Sequence, residues 1–139
     1  MLLPPAIAAQ PLSSAGVVAN HIQIPALEGV NALTLLPPAI AARSLSSEEV
    51  VLSHEDALLA IDHFESLGLL ILGWEGWVRY RDGLVGHASA HQGTGSLDHL
   101  SVRDAAAFCR QTIGLDATAW AWQHPGGGDE LYFCITVRT

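Results

Sequence analysis

The sequence contains no lysine, and its only strongly basic side chains are six arginines, which face 14 acidic residues and leave a formal net charge of −8. Proteins hold the phosphates of nucleic acids with clustered cations. A chain this poor in cations is therefore not expected to bind nucleic acid. The partner that best complements its charge is a basic protein.

Cysteines and long apolar runs are also scarce. Cys109 and Cys134 are the only cysteines, too few for a disulfide scaffold, so we expect two buried reduced thiols. No stretch has the length needed to cross a membrane. The apolar residues after Met1 break at prolines and lack a basic region before them, so they do not form a signal peptide. These absences predict a cytoplasmic protein with no membrane partner.

Residues 1–47 are almost uncharged and include the first copy and most of the second copy of an internal duplication. Residues 2–18 recur as residues 35–51, an offset of 33 positions. Two copies are too few for a solenoid, which needs about three or more repeats. We interpret residues 1–47 as an N-terminal extension and residues 48–139 as the main domain. The extension is predicted to have strands at 17–24 and 30–35 and a short helix at each proline pair. It should pack on the domain, add strands to a sheet edge or mediate a homodimer.

Residues 53–72 have the clearest pattern in the chain. Ser53 and Asp56 have the spacing of a capping box, and Gly68 is a helix stop followed by an apolar strand at residues 69–72. At about 100° per residue, the helix between them has two different sides. The buried side is expected to contain Ala57, Ala60, Ile61 and Phe64, and the exposed side Glu55, Leu59, Asp62 and Ser66.

The remaining pattern predicts an α+β fold, a mostly antiparallel sheet with two main helices packed on it. We expect a turn at 73–77, a hairpin at 78–87 through a two-residue Asp82-Gly83 turn, and a loop at 86–99. Ser101 opens a second helix that Gly114 ends. Strands at 118–123 and 131–137 come next, so that Trp120 and Trp122 share one sheet face.

The histidines offer an alternative, a small metal-binding protein or an enzyme. His87 and His91 are four residues apart, with Asp98 and His99 nearby. That spacing aims two rings at one metal on a helix, but the glycines around it favour a loop. No nucleophile elbow or phosphate-binding loop is present. We therefore predict no catalytic residues, no metal and no cofactor.

Seven acidic residues and no Lys or Arg lie between Glu48 and Glu75, and this block is the candidate binding surface. Such a block is either a solvated face or a binding patch. The tryptophans beside it are either interface anchors or covers for one end of the core. The candidate partner-binding residues are Glu55, Leu59, Asp62, Glu65, Trp74, Glu75 and Trp77.

Residues 45–137 resemble the immunity protein 40 family. The resemblance is carried by the helix start at 53–58, Asp62 in mid-helix, the Leu-Gly-Leu-Leu-Ile-Leu-Gly run at 67–73, the Asp82-Gly83 hairpin, a long second helix and the Tyr-Phe-Cys-Ile-Thr-Val strand at 132–137. That family consists of small bacterial proteins encoded beside polymorphic toxins, which they neutralise. The resemblance implies an immunity protein that binds a cognate, basic toxin stoichiometrically. Besides the metal-site alternative, a self-associating structural module remains open.

Overall fold

The structure is a computed structural model that describes residues 31–92 and 97–139. The strand predicted at 17–24 and the first copy of the duplication lie outside these residues, and the homodimer predicted through the extension stays a prediction. The main elements, in chain order, are α1 Pro38–Ala41, β1 Val50–Leu52, α2 His54–Ser66, β2 Ile71–Arg79, β3 Val85–Gln92, α3 Val102–Gln123 and β4 Glu130–Val137. Single turns of 3-10 helix occupy Ala32–Leu35 and Leu97–His99.

The described strands form one antiparallel sheet in the order β1-β4-β2-β3. The helices α2 and α3 pack against each other and against this sheet. The core between them is built around Phe64, Trp74, Ile113 and Phe133. The predicted α+β fold, with an antiparallel sheet and two main helices, is confirmed.

The start of α2 and both of its faces match the prediction. The Ser53 hydroxyl accepts the Asp56 N–H at 3.4 Å, and Gly68 comes after the last turn with a φ of 75°. The four residues expected inside are completely buried, and the four expected outside are exposed. The next strand begins two residues later than predicted, at Ile71.

The helix α3 is nearly twice as long as predicted. It begins at the Ser101 cap, continues through Gly114 and ends at Gln123, so the strand predicted at 118–123 is wrong. Gly114 has no positive φ, and a Cβ added to it meets nothing within 4 Å, so this glycine fits a helix. Trp120 and Trp122 therefore point in different directions, about 200° apart around the axis.

The strands β2 and β3 replace the turn predicted at 73–77 and the first half of the loop predicted at 86–99. The turn was predicted from the glycines of this segment. Both glycines of β2 lie inside the strand, at the points where its pairing is irregular. A Cβ on Gly76 would lie 2.8 Å from the His91 Cβ, so only glycine fits where β3 crosses so closely. The Asp82-Gly83 hairpin is confirmed, with Gly83 at a φ of 93°. The Tyr80 N–H bonds the Leu84 carbonyl at 2.7 Å, which makes a three-residue loop instead of a two-residue one.

Residues 31–47, which were assigned to the extension, pack on the core of the domain. Leu33, Leu36 and Ile40 are buried in it, and Pro38 begins α1 as predicted. The strand predicted at 30–35 is wrong for its described residues, because Asn31 caps a 3-10 turn with its side chain accepting the Leu33 N–H at 2.9 Å.

Both cysteines are buried free thiols, as predicted. Burial raises the pKa of Cys109 to about 11. Burial and the nearby Glu49 carboxylate raise the pKa of Cys134 to about 12. No helix in the described part of the chain combines the length and apolarity of a membrane span.

Candidate interaction surface

The exposed side of α2 presents one large apolar side chain among polar ones. Leu59 is 50% exposed, and Glu55, Asp62 and Ser66 are exposed beside it. We call these four residues the acidic helix face. Because the opposite side of α2 is fully buried, the position of this face is fixed by the core.

An arginine from α3 organises one edge of this face. Arg110 bonds Asp62 through its Nε and Nη2 at 2.9 and 2.7 Å, and the same guanidinium contacts Glu65. Hydrogen bonds to Glu65 and then Asp62 raise the pKa of Arg110. One cation shared by two carboxylates leaves this cluster with a formal charge of −1. The pairing was missed from the sequence because Arg110 is 45 residues or more away from both acids.

Asp56 belongs to the acidic block of the sequence but not to the acidic helix face. Its two carboxylate oxygens accept bonds from Arg43 at 2.7 and 2.9 Å. This bidentate bond holds the pKa of Asp56 below its usual value. In contrast, the exposed Glu55 carboxylate makes no hydrogen bond or ion pair with residues 31–92 or 97–139. Glu55 is therefore the acid of α2 that has no ion-pair partner among the described residues.

Trp74 is a core residue and not the exposed anchor that we predicted. It is 2% exposed, its Nε1 donates to the Thr112 Oγ1 at 2.8 Å, and its ring meets the edge of Phe133 at 5.2 Å. The alternative interpretation, a tryptophan that covers the core, is closer to what the structure shows. A binding surface on α2 therefore does not include Trp74.

Glu75 and Trp77 lie on the sheet face that α2 and α3 leave uncovered, because alternate residues of a strand point to opposite sides. Glu75 bonds His87 at 3.1 Å, and Trp77 packs on the same imidazole with ring centres 4.7 Å apart. The Trp77 Nε1 is buried without a hydrogen-bond partner among the described residues. The structure thus separates these two candidates from Glu55, Leu59, Asp62 and Glu65.

The two histidines considered for a metal site are held by different carboxylates. His87 bonds Glu75 on the open sheet face, whereas the His91 Nδ1 lies 2.8 and 3.0 Å from the oxygens of Asp116 on α3. His99 is exposed at the end of the short 3-10 turn. Within the described ranges, no three His, Cys, Asp or Glu side chains are grouped to hold a metal.

The structure reveals a second exposed apolar stripe that the sequence analysis missed. Leu115 and Trp122 on α3 are 67% and 82% exposed, with Thr118 between them. Residues seven apart on a helix lie on one side, so this spacing would have revealed the stripe had the helix been continued past Gly114.

The stripe on α3 lies next to α2. Trp122, Thr118, Ala117 and Ala121 line a shallow pocket of about 350 Å³ whose other wall is His54, the first residue of α2. The start of α2 thus meets the end of α3 at the pocket, whereas Asp62 and Glu65 near the end of α2 meet Arg110 in the first half of α3, so the two helices run antiparallel. The acidic helix face and the stripe are therefore outward-facing surfaces of two adjacent helices.

Comparisons of the chain with protein-family models, curated proteins and solved structures find no match in any of the three.

Proposed function

We propose that this protein is an immunity protein that neutralises a bacterial toxin in the cytoplasm by stoichiometric binding. The observation that carries the proposal is the acidic helix face, where Leu59 stands half-exposed between Glu55 and Asp62 on a helix fixed by a buried opposite side. The resemblance of residues 45–137 to the immunity protein 40 family supplies the class of partner.

The physical chemistry of this face suits protein binding. An apolar side chain surrounded by charges can lose its water against a partner while the charges form the rim. The acids attract a basic toxin from a distance and accelerate association. Arg110 holds Asp62 of this face and the neighbouring Glu65 in place, so these two acids lose little side-chain freedom on binding.

The proposal assigns no catalytic step to the protein. The paired histidines are engaged by separate carboxylates, and the acids on α2 lie on an exposed helix face, where general acid–base work is not expected. Binding alone would therefore have to block the toxin.

The test is to combine the protein with the product of the adjacent gene. We expect rescue of growth in cells that express both and a 1:1 complex by calorimetry. Leu59→Ala should weaken the complex about tenfold or more, which corresponds to about 1.4 kcal/mol or more. Glu55→Gln should mainly slow association, and added salt should shrink the difference from wild type.

Two variants elsewhere on the surface serve as matched controls. Leu84→Ala removes a leucine that is 68% exposed at the hairpin, and Glu48→Gln neutralises an exposed acid that precedes β1. Both should leave toxin affinity unchanged. Absence of both binding and rescue with wild type would defeat the proposal, and equal losses in Leu59→Ala and Leu84→Ala would remove the acidic helix face from it.

A further inference from the structure

The C-terminal half of α3 carries a large aromatic side chain in contact with solvent. Trp122 is 82% exposed, and its neighbours on the stripe, Leu115 and Thr118, are exposed as well. Tryptophan is the side chain most enriched at the energetic centres of protein interfaces. The stripe therefore has the composition of a contact surface, and its charge environment indicates what it contacts.

The two helix segments that line the pocket contain no Lys or Arg. No Lys or Arg occurs in α2 or in α3 after Arg110, and the last turn of α3 contains no basic residue. The last carbonyls of a helix carry about half a negative charge, which is usually offset by a nearby cation. No side chain of α3 itself offsets it, and one of these carbonyls, that of Trp120, is bound by the imidazole of His124 at 3.0 Å.

The other wall of the pocket adds negative charge. The positive end of α2 lies at His54, but Glu55 and Asp56 occupy the first turn and oppose it. Asp56 is neutralised by Arg43, which leaves Glu55, the residue after His54, as the acid of this turn without an ion-pair partner among the described residues. Arg81 is engaged on the loop after α3, where its backbone N–H donates to the Asp129 carboxylate and its guanidinium contacts the Gly127 carbonyl. The exposed indole thus lies at the C-terminal end of α3, across the pocket from the first turn of α2 that carries Glu55.

We propose that the pocket between His54 and Trp122 receives an arginine side chain of the partner protein, with the guanidinium stacked on the Trp122 indole and attracted by Glu55. A planar guanidinium stacks on an aromatic face and gives up its hydration more readily than an ammonium, so arginine fits better than lysine. Thr118, Ala117 and Ala121 leave room for the aliphatic part of the side chain. This inference rests on the proposed function only in taking the toxin as the source of the arginine.

A direct test needs no toxin. The probe is N-acetyl-arginine amide, titrated at millimolar concentrations into the full chain while the NMR signals of the four indole N–H groups are followed. We expect the Trp122 signal, assigned with Trp122→Ala, to shift saturably and the buried Trp74 signal to stay in place. N-acetyl-citrulline amide has nearly the same shape without the charge and should shift Trp122 much less. Equal shifts with both probes, or no shift at Trp122, would overturn the proposal.

A second test introduces a positive or a negative charge at Thr118 in the pocket and measures toxin binding. Thr118→Arg fills the pocket with a guanidinium from the chain itself and should weaken toxin binding about tenfold or more. Thr118→Glu has a side chain of related length and opposite charge, and should bind as well as wild type or better. Thr118 is exposed, so neither change should affect folding.

The outcomes separate the two proposals. If the toxin binds and both Thr118 variants weaken it equally, or neither does, the arginine pocket is wrong and the immunity function stands. If wild type binds no toxin, the proposed function fails and the titration with the arginine probe still decides whether the pocket takes a guanidinium.

Discussion

The helices α2 and α3 begin in the same way and end differently. Ser53 and Ser101 each accept the backbone N–H of the aspartate three residues later, at 3.4 and 3.0 Å. After 13 residues α2 stops before Gly68, whereas α3 passes Gly114 and reaches 22 residues. Gly68 has a φ of 75°, and Gly114 is part of the helix.

The residues after each glycine explain the difference. Beyond Gly68 the chain turns into β2, where Ile71 is completely buried. Beyond Gly114 the helix keeps useful contacts, since Asp116 bonds His91 and Trp120 stacks on His124 at 3.7 Å. A glycine therefore ends a helix only where the next residues gain more by leaving it.

The largest expected effect comes from breaking α3 at this glycine. Gly114→Pro removes a backbone hydrogen bond and clashes with the preceding turn, so it should destabilise the fold by about 3 kcal/mol or more. Chemical denaturation gives the free energy of unfolding, and circular dichroism reports the loss of helix. A tolerated proline would contradict a helix that is continuous through residue 114.

Alanine at the two glycines should have opposite effects. Gly114→Ala should stabilise by about 0.5–1 kcal/mol, because alanine favours a helix and its Cβ meets nothing within 4 Å. Gly68→Ala should destabilise by about 1–2 kcal/mol, because its φ of 75° disfavours a side chain. Thermal and urea unfolding of both variants measure this, and changes of the same sign would refute the explanation.

The smallest expected effect concerns the first turn of α2, where Asp56 forms an ion pair with Arg43. The Arg43 guanidinium lowers the pKa of Asp56 in the folded protein. The ion pair therefore contributes its full stability above the ordinary aspartate pKa of about 3.9. This stability is lost as the pH falls through the lower pKa that Asp56 has in the folded protein. The free energy of unfolding of wild type should therefore decline more steeply below about pH 4 than that of Asp56→Asn. Arg43→Gln should flatten the same part of the curve, and an unchanged curve in both variants would exclude the pair as its cause.

The parts of the fold that could be predicted are those where local patterns agree with packing. In α2 the cap, the apolar spacing and the stop all lie within 16 residues, and every inside and outside residue was identified. The strand β4 begins one residue before its predicted start. By contrast, β3 is an edge strand with two histidines and little apolar alternation, and only its pairing with β2 identifies it as a strand.

The candidate site was predictable only on one helix. Glu55, Leu59 and Asp62 could be placed outward from periodicity alone. Trp74 could not be placed in the core, because its register depends on the irregular pairing around Gly73. The exposure of Trp122 was missed because the predicted helix ended at Gly114, whereas the bonds of Arg110 depend on how α2 and α3 meet, which local sequence does not encode.

The two buried sulfurs make the chain convenient for site-specific labelling. With pKa values of about 11 and about 12, about one in a thousand or fewer of these thiols is ionised at pH 8, and both are shielded from reagents. A cysteine introduced at an exposed position outside the acidic helix face, as in Ser47→Cys or Leu84→Cys, would then react alone with a maleimide dye. Fluorescence energy transfer from these two positions could triangulate where a labelled toxin sits without any change to the native cysteines.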